Sequence, residues 1–497
     1  MSRGLDPRVA LGPALAPGAA TAVLEALDRL RPVVRVEPNA SEPVALAAAG
    51  LYSLLMRVHA HTSLEGDASL GPNPWGVARL YELPDRLATS QPTAASGPVQ
   101  DLIIGVGPGA AGADLWIGGA DWTARVGRVP QPAGGSSSLG LQAAAVFAAA
   151  EALKESLKAQ MIHVPLGDEL VWNLWDYRNQ PAPETGAAQC FLDHVVFFGS
   201  GSVGSSAIGL LATQQNVTGR ASVVDPDTFD PERNPYRYPA ATGAETGAKA
   251  GWTAGLLRAA GWDATAYRTE VAAWVRSQEG PGVGGAVVSS VDTVSGRLQV
   301  ADALATTTLS VGVSGMALHI QREHCFDDWA CPYCEFVSAA TPLSQAQVHS
   351  QMTGLTVERI LQLYLGDELL SAEDVARAVG AGKLHPDRVP ELIDRRLDDL
   401  IQRIYAQAVV GGQADPGVVT AVSTPFVSWM GGLLIVAELV KSAMGATLVD
   451  RRVDLELSGL PLGAVSRRSR DQSGHCTCHS PHRQRWATRL YGGDRTL

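Results

Sequence analysis

Cysteine is scarce in this chain, six among 497 residues. That is too few for the disulfide framework of a secreted scaffold, and the grouping as C-x-x-C and C-x-C suits metal in a reducing compartment. Positive charge is also in short supply. Lys and Arg number 39 against 50 Asp and Glu, a formal net charge of −11, which argues against broad binding to a phosphate backbone and for small-molecule or protein partners rather than nucleic acid. Long hydrophobic runs are missing: nothing approaches roughly eighteen uninterrupted apolar residues. The N-terminal MSRGLDPRVALGPALAPGAA has no apolar stretch behind its charge. A soluble, cytoplasmic protein with no membrane partner is the expectation.

What is present is an ordinary globular composition, 46% apolar and 18% charged, long enough for roughly three domain-sized units. The Pro/Gly/Ser-rich stretches near 90–98 and 129–138 read as loops. DLIIGVG from Asp101, ADLWIGG from Ala113 and TARVG from Thr123 read as short strands, and an alanine-rich helix runs from about Leu139 to Ala159. Residues 1–160 thus form a first α/β domain, and 161–189, rich in Trp and Pro without a period, a connector. From Cys190 strands alternate with helices: strand 194–198, helix from about 203, ASVVD ending at Asp225, helix near 248–260, and GAVVSS leading to Val291. That order predicts a parallel sheet covered on both faces over 190–344. VERILQLYL, SAEDVARAV and VPELIDRRLDDLIQRIYAQAV predict a helical insertion over 345–412, after which 413–497 resumes with the apolar helix PFVSWMGGLLIVAELVKSAMG.

The chemistry concentrates around HVVFFGSGSVGSSAIGLL. Gly199, Gly201 and Gly204 have the spacing of a strand-to-helix turn that bends tightly, lets a phosphate approach the backbone and packs the helix on the strand. About twenty residues on, Asp225 ends the next strand, where a carboxylate can accept from a ribose. Asn234, Arg237 and Lys249 follow in a polar loop; such donors suit a triphosphate better than a hydride carrier. Asp292 ends the third strand, with Arg297 five residues on, at the sheet edge where ligands sit, and a carboxylate there can hold Mg²⁺. Taken singly, Asp225 and Asp292 are equally explained as helix caps, and Arg237 and Lys249 as surface charges; in ordered combination they are not. Cys331 and Cys334 in CPYC, with Cys476 and Cys478 in GHCTCH, suit a closed tetrahedral Zn²⁺ site of structural kind, with His475 or His479 able to replace a sulfur.

As an ordered set, G-S-G-S-V-G, VVDPD, NPYR, Lys249 and SVDTVSGR resemble the adenylation domain of the ThiF/MoeB and ubiquitin-activating enzyme superfamily, over about 190–345 and 420–480. The resemblance implies a Rossmann-like adenylation fold, ATP ribose on Asp225, phosphates on Asn234, Arg237 and Lys249, and Mg²⁺ on Asp292. It implies adenylation of the C-terminal carboxylate of a ubiquitin-like protein. In one departure, Tyr238 stands where the family usually continues with glutamine. Ala150-Glu151-Ala152-Leu153-Lys154 echoes Ala437-Glu438-Leu439-Val440-Lys441. That echo is either shared helical composition or a duplicated fold whose first copy has lost its glycine turn. On the second reading residues 1–160 resemble the inactive adenylation-like half of a bacterial ubiquitin-activating-like enzyme, of the sort encoded beside ubiquitin-like proteins in antiviral operons. A conjugating-enzyme partner and a homodimer are further implications. Sulfur-carrier activation and ribosomal-peptide modification are the alternative acceptors, and a non-catalytic Rossmann-type scaffold is the alternative outside enzymology. Outside the proposed metal site only Cys190 and Cys325 remain as thiols, so an adenylate without a stable enzyme thioester is the expectation.

Overall fold

The structure is a computed structural model. It describes residues 20–491 except 88–97, 159–163, 184–188, 231–233, 279–281, 284, 325–329, 332, 335–336, 338–344, 367, 385, 387–388, 402–403, 405–423, 447, 449–451, 462–463 and 467–468. The chain divides into two compact units, one built around residues 338–422 and one containing both sheets.

The first sheet begins with helix α1 (Ala20–Arg29), strand β1 (Leu30–Val36), helix α2 (Glu42–Met56) and strand β2 (Ser63–Glu65). After a short helix α3 (Leu83–Arg86) come β3 (Gln100–Val106), β4 (Leu115–Ala120), β5 (Thr123–Gly127), β6 (Ala133–Gly134), α4 (Leu139–Ser156) and β7 (Glu169–Asn173). The strand order is β2-β1-β3-β4-β5-β7. β7 pairs antiparallel with β5, Thr123 opposite Asn173. The stretch 161–189 is therefore more than the connector expected: ELVWN, whose Leu170 and Trp172 are buried, completes the first sheet.

The second sheet is built from β8 (Cys190–Phe198), α5 (Ser202–Ala212), β9 (Val217–Val224), α6 (Asn234–Arg237), α7 (Lys249–Ala259), β10 (Asp263–Tyr267) and α8 (Val271–Ser277). It continues with β11 (Ala286–Ser289), α9 (Val294–Ala301), β12 (Thr307–Ser314) and β13 (Ala317–His324), and its order is β10-β9-β8-β11-β12-β13-β14-β15, with β14 (Arg452–Glu456) and β15 (Ala464–Ser466) supplied from the far end of the chain. Val195 to Phe198 are all buried, as a central parallel strand covered on both faces requires. The expected mainly parallel α/β architecture is present in both sheets.

The two sheets share one plan. β2-β1-β3-β4-β5-β7 matches β9-β8-β11-β12-β13-β14 in order, and in both the first three pairings are parallel and the last two antiparallel. A helix sits in the matching place each time: α2 follows β1 as α5 follows β8, and α4 precedes β7 as α10–α13 and then α14 (Pro425–Ala443) precede β14. The inserted helices include α10 (Gln345–Thr353), α11 (Val357–Leu365), α12 (Ala372–Gly380) and α13 (Val389–Leu392), with a further helical stretch at 397–401. They form their own core around Ile360, Leu363, Val375 and Leu400. Ser371 and Asp374 make a capping box on α12, and Arg359 clamps the Asp374 carboxylate with two bonds of 2.9 Å.

α4 packs on α2 and on α14, and α14 packs on α5. Small residues permit the approach. A Cβ on Gly432 would lie 2.6 Å from the Ala207 nitrogen of α5, and one on Gly50 would lie 2.2 Å from the Gln142 amide oxygen of α4. Gln142 joins three helices, donating to the Leu46 carbonyl and accepting from the Trp429 indole at 3.0 Å. α14 is long and apolar enough to cross a membrane, yet nearly all of it is buried inside the protein.

The echoed Glu and Lys are buried ion pairs at the same place in each half. Lys154 pairs with Glu151 and donates to Val164 and to Gly459, past the end of β14. Lys441 pairs with Glu438 and donates to the Leu174 and Trp175 carbonyls, past the end of β7. Glu438 also accepts from Arg322 and from the Tyr177 hydroxyl. Replacing Glu438 with Ala takes the carboxylate away from the buried Lys441, so we expect a loss of about 3–5 kcal/mol in urea unfolding; an unchanged midpoint would contradict this account of the core.

Candidate functional site

The glycine turn sits between β8 and α5, and each glycine has a different physical reason. Gly199 has φ +91°, a conformation that disfavours side chains, and its neighbour is Ser290. A Cβ on Gly204 would stand 2.2 Å from the Gly199 carbonyl, so helix and strand close only without one. Gly201, the residue before α5, has an ordinary φ of −66°, and a Cβ there would meet just the Tyr238 hydroxyl, 3.8 Å away. The direction a side chain would take there is otherwise open, at a helix N-terminus, the place where an anion is favoured.

Asp225 ties this turn to the next loop. Its carboxylate accepts from the Ser200 amide at 2.7 Å, from the Ser200 hydroxyl at 3.2 Å and from the Asp227 amide at 2.9 Å. It is buried. The side chain expected at a ribose thus already holds the turn in shape. Ser202 donates its hydroxyl to the Arg237 carbonyl, and Ser290 donates to Gly199 at 2.8 Å, so the turn is anchored from both flanks.

Asn234 is buried and accepts from the Asp230 amide at 2.8 Å, shaping the start of α6 rather than reaching outward. Arg237 is exposed at the end of α6. Lys249, the first residue of α7, pairs with Asp227 at 2.7 Å and stands 5.8 Å above the Tyr238 ring. Burial disfavours the charged form of Lys249, but the Tyr238 phenol and the Asp227 carboxylate outweigh it and keep its pKa above the ordinary lysine value. Tyr238, the departure from the family pattern, packs on Phe229 and stacks on Trp252, and burial raises its own pKa. Asp292 is exposed just past the end of β11 and makes no hydrogen bond or ion pair among the described residues.

Arg297 does not join this group: it is buried and donates to the Ser310 hydroxyl at 2.7 Å and the Val311 carbonyl at 3.0 Å, bracing β12. Asp227, Ser200 and Ser290 were not singled out in the sequence. The "DPD" and "GSG" spellings carry the first two, but Ser290 is recognisable only once β11 is seen beside β8. In the first half the matching turn is Glu37 to Ser41, without glycine, and the Glu37 carboxylate accepts from the Gly109 amide at 3.0 Å. An acid where the second half has glycine disfavours a phosphate.

A second site lies farther along the chain. The sulfurs of Cys331, Cys334, Cys476 and Cys478 all lie within 4.8 Å of one another, with separations of 3.4 Å (Cys331 to Cys476), 3.7 Å (Cys331 to Cys334) and 3.6 Å (Cys334 to Cys478). Four thiolates about 2.3 Å from one tetrahedral ion have edges of about 3.8 Å, whereas a disulfide is about 2.05 Å long. The cluster can hold a metal ion such as zinc. Among the described residues the group is made of the four cysteines alone, without His475, which is exposed, or His479, whose Nε2 lies 2.7 Å from the Asp471 carbonyl. From here helix α15 (Pro481–Tyr491) returns to the sheet, where Tyr491 donates to the Leu304 carbonyl and Arg483 pairs with Asp302. Cys190 is buried at the start of β8, and burial raises its pKa, as for an inert thiol. Cys325 lies outside the described residues.

No known family profile matches the chain. It is similar to an uncharacterized protein of Sinorhizobium fredii, y4jF, with 28% identity over 385 residues, covering 73% of this chain and 72% of that protein.

We expect purified protein to carry zinc in a thiolate environment. Cys331→Ser should lose the metal and most of the soluble yield, since binding and folding are coupled at a closed site. A metal-free Cys331→Ser protein with the wild-type melting temperature would contradict the assignment.

Proposed function

We propose that the second half is an ATP-dependent adenylating enzyme, ubiquitin-activating-like, acting on the C-terminal carboxylate of a ubiquitin-like protein. The observation that carries this reading is the open side-chain direction at Gly201, in a turn that Asp225 holds through Ser200, with Tyr238 beside it, Arg237 and Lys249 flanking Tyr238, and Asp292 at the same carboxyl edge of the sheet. An open glycine turn with Arg237 and Lys249 near it suits a polyphosphate.

In the proposed reaction the carboxylate oxygen attacks the α-phosphorus of ATP. A new acyl–phosphate bond forms, the bond to the β-phosphate bridge breaks, and pyrophosphate leaves with its electron pair. No side chain needs to form a covalent bond in this step; orientation and charge neutralisation carry it. The Gly201 turn and α5 would hold phosphate oxygens. Lys249 would exchange its bond to the exposed Asp227 for one to phosphate, and Arg237, exposed at the end of α6, would follow the charge onto pyrophosphate. Asp292, exposed and unengaged, suits a hard cation; Mg²⁺ there would neutralise the phosphates. The four-cysteine metal site would be structural zinc, stapling the C-terminal segment to the sheet in the reducing cytoplasm.

Asp292→Ala should melt as wild type yet lose ATP–pyrophosphate exchange by at least about 100-fold. Normal exchange in that variant would remove Asp292 from the reaction. With Cys190 buried, the acyl group should pass directly to a partner's thiol or amine. On a non-reducing gel with ATP and the cognate ubiquitin-like protein we expect no thiol-sensitive adduct of this chain; such an adduct would overturn direct transfer.

A further inference from the structure

We propose that Arg57, from the half without a glycine turn, is a positioning residue for the nucleotide site of the other half, an inference that rests on the adenylation reading. Arg57 caps the C-terminal end of α2 and is 1% exposed. Its Nη2 donates to the Tyr238 carbonyl at 3.0 Å, to the Pro239 carbonyl at 3.2 Å and to the Ala241 carbonyl. These are the residues that directly follow NPYR.

Two further donors of the first half converge on the same carbonyl. The Ser53 hydroxyl reaches Pro239 at 2.8 Å and the Trp75 indole reaches it at 2.9 Å. Trp75 is itself stacked on Trp429 of α14, so the clamp is braced by the helix layer between the halves. On the other side of the loop, Ser202 holds the Arg237 carbonyl and the Tyr238 hydroxyl faces Gly201. The segment carrying Arg237 and Tyr238 is therefore fixed at one end by the glycine turn and at the other by Arg57.

Arg57 is an unusual choice for a purely structural peg. Among the described residues it hydrogen-bonds no carboxylate, its Nε has no partner, and burial lowers its pKa to about 10, which leaves it charged at neutral pH. Glu245, whose field favours the charge, directs its own oxygens to the Thr242 and Gly243 amides. A buried cation met mainly by neutral carbonyls is costly unless the order it imposes is used. One nitrogen that meets three carbonyls within four residues of a loop imposes that order, and an apolar side chain in its place does not.

The test uses the full-length protein and three variants: Arg57→Lys, Arg57→Met, and Ser53→Ala with Trp75→Phe, which keeps Arg57 and guards against a variant that fails to fold. Amide hydrogen exchange over residues 236–242 is read without nucleotide, and Mg·ATP affinity by calorimetry. The proposal expects faster exchange confined to that segment, ATP binding weaker by about tenfold in Arg57→Met, a smaller loss in Arg57→Lys, and exchange at β8 and β11 as in wild type. Unchanged exchange over 236–242, or faster exchange with unchanged ATP affinity, would overturn it. Wild-type protein that binds no ATP would instead overturn the adenylation reading, and the positioning role with it.

Discussion

The molecule depends on burying charge where its two halves meet. Glu438 accepts from Arg322, Lys441 and Tyr177, in a layer with almost no access to water. Removing one partner from such a cluster leaves a charge stranded, so the helices that carry it have little freedom to slide. The matching pair, Glu151 with Lys154, stands at the same place in α4, and each lysine donates to a backbone carbonyl of the opposite half, Lys154 just past β14 and Lys441 just past β7. The halves are locked reciprocally, and α14, apolar enough for a membrane, is instead the wall behind the site.

That wall explains why the glycine turn can be so open. α5 is supported from behind by α14 at Gly432 and held to its strand by the Gly199 and Gly204 contacts, so nothing needs to lean on Gly201 from the front. Asp225 then sets the turn and the loop after β9 relative to each other, and the first half sets the loop after α6. One copy keeps an open turn and the other places Glu37 at the equivalent point. On the adenylation reading, the half without the glycine turn acts as a frame for the half that has one.

Much of the site was legible in the sequence because its signals are local. A buried β-strand spelled VVFF, glycines at fixed spacing and an acid closing the next strand each report a backbone requirement within a few residues. The four cysteines were legible for a similar reason, since C-x-x-C and C-x-C already fix two sulfurs on one turn; the histidine alternatives fell away only when all four sulfurs were seen to lie within 4.8 Å of one another. What stayed hidden is what tertiary contact decides. β7 lies in a Trp-rich stretch whose alternation is visible only beside β5, and the first half shows no glycine fingerprint to announce its repeat. Arg297 has the place of a phosphate ligand and the surroundings of a strand brace, and Arg57 reaches across more than a hundred residues of chain to Tyr238.

The central claim is that a nucleotide phosphate lies against the backbone at Gly201. Gly201→Val tests it most directly, because the position has an ordinary φ and room for a side chain, so the fold should lose only about 1 kcal/mol from the poorer helix cap. Calorimetric titration with Mg·ATP should show binding to the wild-type protein and none to a folded Gly201→Val variant, whose side chain fills the space the phosphate needs. Equal ATP binding by the two proteins would contradict the account.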